Sequence, residues 1–411
     1  MKSRKLRRTR SRATIITAAA ASAIAGAALL PNWSAGASTT AEPEVDARTK
    51  ATFQRLADAV FTDRTNALVD RPGRKKAATD GFSGRVALSS GAARTEGKAV
   101  DRLDDRRERL ARHGEKYSAA NTTVALNRTR VNGRKAVVTV TETTTLTYKK
   151  VRGDEPKTTG FQADHQLTFE ADRRGNWRLT GIREAGDDQL AVNQPAQPEV
   201  DPAPAPTASA PSPSPSASAS AATSAGAATT TPSSPRAAIT RPAPAAPKDL
   251  TGGAYDYRAM AAYADKYWRD YNPEYPSFDG QGAGGDCTNF VSQALKAGGW
   301  KHVPGYVYDY TRWFGNSSIQ SHSFIGVNEW SWFALNSERA TSLANVYQMD
   351  VGDVLQVDFD RNGSKDHTMI VTHRSAQGVP YLSYHSTNTH RRSVASIIAS
   401  YPNAAYYAYR T

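Results

Sequence analysis

The stretch that decides the fold of the second half of the chain is residues 284–295, GGDCTNFVSQAL. Its apolar residues recur at helical spacing, so it predicts a helix with one buried stripe. Asp286 stands at the N-cap position of this helix, and the pair Gly298-Gly299 follows it as a stop signal. The spacing places Cys287 in the first turn, where unpaired backbone N–H groups and the helix dipole favour a thiolate.

Cys287 is the only cysteine among the 411 residues, so the chain cannot form an internal disulfide. A thiolate is a nucleophile, whereas a buried cysteine behaves as a small hydrophobic residue. The apolar stripe begins only at Phe290. We therefore expect Cys287 at the entry of the helix, as a catalytic thiol outside the core.

A thiolate nucleophile needs a base beside it, and histidine suits this role near neutral pH. His367 begins a predicted strand directly after a hairpin turn, His385 ends the next strand, and Asn388 follows shortly. If the two strands are neighbours, His367 is expected to contact His385 or Asn388. Cys287, His367 and a polar residue that orients the imidazole would then act as nucleophile, base and orienting group.

Four segments resemble the putative amidase domain of exported bacterial proteins: 286–293 (DCTNFVSQ), 352–354 (GDV), 367–372 (HTMIVT) and 384–387 (YHST). The resemblance spans about residues 255–411, and that family is similar to the papain-like NlpC and CHAP cell-wall hydrolases. It implies a papain-like α+β domain in which Cys287 is the nucleophile and His367 the base.

The resemblance also implies the remaining site residues. In NlpC-type enzymes a polar residue on the following strand orients the histidine, which here matches His385, with Asn388 as the second choice. The Cys287 backbone N–H would bind the oxyanion, and papain itself takes a second donor from the position that corresponds to Gln281. The chemistry implied is cleavage of an amide bond through a thioester, with peptidoglycan as the expected substrate, and either water or another acceptor would take the acyl group.

The competing interpretation is a catalytically inactive protein that binds the cell wall or another surface partner. We expect no cofactor and no metal, because the sequence has neither H-E-x-x-H nor paired cysteines. The run DRNGSKD at 360–366 suggests a calcium loop but lacks the full ligand set, so we interpret it as a solvated turn.

The first part of the chain predicts export and a separate domain. Residues 1–37 combine a basic start, an apolar run and an A-x-A site, which is typical of a secretory signal peptide. Residues 44–192 predict helices followed by long antiparallel strands, a basic α+β domain of unknown role whose order resembles the NTF2-like fold.

The second part predicts a tether and a second α+β domain. Residues 193–248 are almost all Pro, Ala, Ser and Thr, so too little can be buried to order them, and we expect a disordered linker. Residues 249–411 hold most of the tyrosines and tryptophans and predict the cysteine helix followed by a small antiparallel sheet.

The formal net charge of +13 is unevenly distributed. Residues 1–37 carry +7, residues 38–195 carry +7 and residues 249–411 carry −2, and residues 196–248 supply the remaining +1. An exported basic domain could meet anionic wall polymers, while no motif supports nucleic-acid binding. No segment after the signal is long and apolar enough to span a membrane, so we expect a secreted or cell-wall-associated protein with no membrane attachment after cleavage.

Overall fold

The structure of the protein, a computed structural model, describes residues 46–71, 87–185, 190–195, 231–241, 248–251, 253–280 and 285–411. The expected signal peptide lies outside these residues. Contacts join the described residues into one compact unit. No helix within the described ranges is both long and apolar enough to cross a membrane.

Two helices open the described chain, α1 (Ala47–Ala67) and α2 (Ser90–Arg112). The side chain that precedes each helix, Asp46 and Ser89, accepts a hydrogen bond from a first-turn N–H group. Apolar residues along α1, including Phe53 and Phe61, are completely buried against the strands that follow. The helical pattern predicted near the start of the first domain is confirmed.

Four antiparallel strands follow: β1 (Tyr117–Asn132), β2 (Lys135–Tyr148), β3 (Thr158–Ala171) and β4 (Trp177–Glu184). Burial alternates along β2 and β3, as expected for strands with one face on a core. The Asn132-Gly133 pair, a sequence typical of hairpin turns, joins β1 to β2, and its glycine takes a φ of 58°. Helices followed by an antiparallel sheet confirm the α+β class of this part.

The C-terminal part begins with helices α3 (Tyr257–Tyr267), α4 (Cys287–Ala297), α5 (His322–Ile325) and α6 (Val327–Asn336). Its strands are β5 (Thr341–Leu343), β6 (Val354–Asp358), β7 (His367–Arg374), β8 (Pro380–Tyr384), β9 (Asn388–Ser393) and β10 (Ala405–Arg410). A 3₁₀ turn, Val346–Gln348, precedes β6, and α7 (Val394–Ser400) connects β9 to β10. The predicted cysteine helix, the antiparallel sheet after it and the strand that begins at His367 are confirmed, whereas β9 and α7 have no local signal in the sequence.

The ten strands of the described residues form one sheet, in the order β1-β2-β3-β9-β8-β7-β6-β10-β5, with β4 paired to β3. The two parts of the chain meet where β3 pairs with β9, at Gly160 with His390 and Gln162 with Asn388. The N-terminal and C-terminal parts therefore share one antiparallel sheet. Their division into separate domains at 192 and 248 stays a prediction.

Part of the expected linker lies against the C-terminal sheet. The Ala237 N–H donates to the Tyr406 carbonyl at 2.7 Å, and Ala238 forms a β-bridge with Asn345. The stretches 196–230 and 242–247 of the expected linker lie outside the described residues.

The C-terminal half of the sheet carries a separate core on each face. On one face Phe290 of α4 packs with Ile370, and on the other Met369 and Val371 pack with the apolar residues of α7. Successive side chains of a strand point to opposite faces. This alternation decides which side chains of β7 can approach the cysteine helix.

Candidate active site

Cys287 is the first residue of α4 and is completely buried. The first turn of α4 packs directly on β7, where the Thr288 and Thr368 hydroxyl oxygens lie 2.8 Å apart. Burial raises the pKa of the Cys287 thiol to about 12, although hydrogen bonds from Thr288 and the Thr368 backbone oppose this shift. The prediction that Cys287 starts the helix is confirmed, but the expectation of a thiol outside the core is wrong, because this turn faces the sheet.

Asp286 occupies the N-cap position of α4 without capping it. Its carboxylate accepts from the Phe278 N–H at 2.9 Å and from the Asn289 amide at 2.7 Å, and its second oxygen lies 2.6 Å from His385 Nδ1. The expectation of an N-cap hydrogen bond is therefore wrong. The side chain instead links the segment at Phe278, helix α4 and His385 at the start of the cysteine helix.

His385 has four partners, one on each face of its ring and one at each ring nitrogen. Its ring stacks between Tyr271 and Phe290, with centroids 4.0 and 4.1 Å away. Its Nε2 lies 2.8 Å from the Tyr267 carbonyl oxygen, which can only accept, so Nε2 carries a proton. A second proton then lies between Nδ1 and Asp286, and both ring nitrogens are committed to these partners.

Asn388 lies beside this group at the join of the two parts of the sheet. Its Oδ1 accepts from the Tyr271 hydroxyl at 2.9 Å, and its backbone pairs with Gln162 of β3. Asp279 also contacts Tyr271, and burial raises its pKa, helped by the nearby Asp286 charge. Tyr271 and Asp279 had no motif around them, so sequence reasoning missed both.

His367 begins β7 on the face opposite to α4. Its ring meets the edge of Tyr384 at 5.0 Å, among the residues that pack with α7. It is 2% exposed, its Nε2 has no hydrogen-bond partner within the described part of the chain, and burial lowers its pKa to about 3. The structure thus does not bring His367 to the Cys287 side of the sheet.

The expected contact between His367 and His385 or Asn388 is also absent from the described contacts. Strands β7 and β8 are neighbours as expected. His367, however, contacts Tyr384, whereas His385, the next residue, points to the α4 face. Gln281, the expected oxyanion donor, lies outside the described residues.

The site is therefore an α+β arrangement in which a single buried cysteine starts a helix beside a histidine–aspartate pair. Residues 254–409 match the family model described as "Putative amidase domain". This match covers the cysteine helix, strand β7 with His367 and the turn after β8 with His385, and it supports hydrolase chemistry in that part of the chain.

Two Bacillus subtilis (strain 168) proteins are similar to parts of the chain. The uncharacterized protein YhbB is 29% identical over 150 residues, which is 35% of this chain and 46% of YhbB. The uncharacterized protein YjcM is 32% identical over 136 residues, which is 33% of this chain and 32% of YjcM. The chain thus spans less than half the length of each relative.

The intermembrane space region of the chloroplast protein ARC6 is a solved structure with a weak likeness. It is 15% identical, and the match covers 34% of this chain and 98% of that region, with a TM-score of 0.21. A likeness at this level supports no statement about the fold.

Proposed function

We propose that the protein is an exported cysteine amidase or peptidase that cleaves amide bonds in peptidoglycan. The observation that carries the proposal is that the single cysteine is the first residue of a helix inside the stretch that matches an amidase family model. The backbone N–H groups of this first turn suit an oxyanion. The papain-like character of this part and the NTF2-like character of the N-terminal part belong to the same proposal.

The proposed reaction is acyl transfer. Cys287 Sγ attacks the amide carbonyl carbon, its proton passes to a histidine, and the amine leaves with that proton. Water then hydrolyses the thioester and regenerates the thiol. Because the described thiol is buried and protonated, attack requires that substrate binding expose it and that a histidine nitrogen reach it.

Two histidines are candidates for the base. The geometry favours His385, which lies on the α4 face and already pairs with a carboxylate. To act, its ring must release either the Tyr267 carbonyl or Asp286. The resemblance favours His367, which must first reach the opposite face of the sheet.

Amide cleavage by the full chain tests the proposal. The substrate is purified peptidoglycan sacculi, and the measurement is the release of new amino groups. We expect Cys287→Ala to lose at least about 10³-fold in rate, a loss typical of a removed nucleophile. His367→Ala and His385→Ala then identify the base, with His373→Ala, at the far end of the same strand as His367, as the matched control. An undiminished rate in Cys287→Ala contradicts the mechanism.

The alternative function is a catalytically inactive protein that binds the wall. It is favoured by one observation, the complete burial of Cys287 with a raised thiol pKa. In that case the wild-type chain and Cys287→Ala would co-sediment equally with sacculi, and neither would release amino groups. A basic N-terminal part, with anionic wall polymer as its partner, would then carry the function.

A further inference from the structure

The hairpin loop between β6 and β7 brings three carboxylates together. Asp358 ends β6, Asp360 lies in the loop, and Asp366 directly precedes β7. Each offers one oxygen, and these oxygens lie within 4.8 Å of one another. Acidic groups this close are common on protein surfaces without a bound ion. A second observation is therefore required before the cluster is interpreted as a binding site.

The buried side chain of Asp358 provides this second observation. The residue is 0% exposed. Its Oδ2 accepts from the Gly363 N–H at 3.0 Å, whereas its Oδ1 has no hydrogen-bond partner within the described part of the chain. A buried carboxylate oxygen without a partner is unfavourable, and such atoms in folded proteins call for an ion or a water.

The three carboxylates have no ion-paired Lys or Arg among the described residues. Lys365 is close enough for its charge to act on Asp358, but its ammonium lies over the Tyr407 ring at 4.9 Å. Carboxylates within 4.8 Å of one another repel one another when they are ionised.

The spacing of these residues is that of a calcium loop. Residues 358–366 read DFDRNGSKD, which places Asp358, Asp360, Asn362, Gly363 and Asp366 at positions 1, 3, 5, 6 and 9 of the EF-hand pattern. Gly363 takes a φ of 95°, as the sharp turn at position 6 requires. The sequence interpretation began this run at Asp360 and so left out Asp358, the residue whose burial points to a ligand.

The turn is already shaped for side-chain ligands. The Asn362 N–H donates to Asp360 Oδ1 at 3.0 Å, and the Ser364 N–H donates to Asn362 Oδ1 at 2.7 Å. Asp366 Oδ2 accepts from the Phe359 N–H at 2.7 Å. These bonds fold the loop back on itself, and Asn328 of α6 holds it from outside by bonding to Ser364 and Lys365.

We propose that residues 358–366 bind one calcium ion, with the side chains of Asp358, Asp360, Asn362 and Asp366 as ligands. Oxygen ligands in a flexible loop suit Ca²⁺ better than Mg²⁺, which demands near-ideal octahedral geometry. The twelfth position of the pattern, which normally supplies a bidentate Glu, is the buried Met369. With waters completing the shell, we expect a dissociation constant on the order of 10⁻⁴–10⁻³ M, as in extracellular modules.

Bound calcium would fix the β6–β7 hairpin. Asp366 is followed immediately by His367, the first residue of β7. The ion would therefore hold the start of the strand that carries one of the two candidate bases. The calcium site itself does not depend on whether the chain is an amidase.

The test is calcium binding by the full chain after treatment with EDTA. Isothermal titration and thermal unfolding are measured with CaCl₂ and, separately, with MgCl₂. We expect one saturable calcium site and a rise in melting temperature of about 2 °C at 10 mM calcium. Asp360→Asn, at an exposed position, should abolish both effects and should melt no lower than the wild type in EDTA, because one repelling charge is gone.

Asp172→Asn is the matched control. Asp172 accepts turn N–H groups from Arg174 and Asn176 in the same manner, but the described part of the chain places no carboxylate cluster around it. It should keep the full calcium response. Absence of saturable calcium binding at 10 mM, an equal response to magnesium, or an unchanged response in Asp360→Asn would each overturn the proposal.

Discussion

Replacing Asp286 by alanine should destabilise the protein more strongly than any surface carboxylate would. The side chain is 1% exposed and has three partners, the Phe278 N–H, the Asn289 amide and His385 Nδ1. Alanine leaves the half-buried Phe278 N–H without an acceptor, at about 1–3 kcal/mol, and removes the partner of a buried imidazole, while the Asn289 amide keeps the Pro276 carbonyl as its acceptor. Breaking a buried pair in this way costs about 3–5 kcal/mol.

Asparagine at the same position should cost far less. Its Oδ1 can accept from the Phe278 N–H and the Asn289 amide, while its Nδ2 can donate to Nδ1 of a neutral His385. The ring keeps its Nε2 proton on the Tyr267 carbonyl, so every described hydrogen bond survives. We therefore expect Asp286→Asn to lose only about 1 kcal/mol.

Urea unfolding at pH 7, followed by tryptophan fluorescence, measures both variants. Asp172→Ala is the control, because Asp172 also accepts three hydrogen bonds but in an exposed turn, and it should lose less than about 1 kcal/mol. The reasoning is refuted if Asp286→Ala is no more destabilising than Asp172→Ala, or if Asp286→Asn costs as much as Asp286→Ala.

Two further predictions concern buried charge. Glu96→Ala should lower the free energy of unfolding by about 3 kcal/mol, because it strands Arg64, whose Nε lies 2.7 Å from Glu96 and which retains only a 3.8 Å contact with Glu184; a loss below 1 kcal/mol in urea unfolding would contradict this. The Cys287 thiol has a pKa of about 12 when folded and about 8.5 when unfolded, so above pH 8.5 the unfolded state loses its proton first and stability falls by about 1.4 kcal/mol per pH unit. The stability difference between wild type and Cys287→Ala should therefore shift against the wild type by about 2 kcal/mol between pH 8 and pH 10, and a constant difference would mean that the thiol is not buried.

Elements with a clear period or turn could be predicted from the sequence. The Asn132-Gly133 hairpin, the cysteine helix and the strands on either side of the 358–366 loop all have local signals that the structure confirms. Strand β9 has none, because its sequence NTHRRS is polar. It pairs with β8 on one side and, on the other, with β3, more than two hundred residues earlier, and the buried Arg392 donates to the Leu190 carbonyl at 3.1 Å. Such long-range pairing leaves no local period to detect.

The candidate site shows the same limit. Alternation along β7 places His367 with Met369 and Val371, as the sequence indicates. The alternation does not indicate which face of β7 packs against α4, because both faces are buried and apolar residues occur on each. The expected approach of His367 to Cys287 depended on that choice. Burial of the thiol had no local signal either, since Thr288 and Asn289 are polar residues that the fold buries completely.

The role of Cys287 as the nucleophile is tested most simply by mass spectrometry. The full chain is quenched in acid during turnover of soluble peptidoglycan fragments, and the mass of the peptide that contains Cys287 is measured. We expect this peptide to gain the mass of the acyl part of the fragment as a thioester, and we expect Cys287→Ala neither to gain mass nor to release the amine. Release of the amine by Cys287→Ala at the wild-type rate would contradict the assignment of Cys287 as the nucleophile.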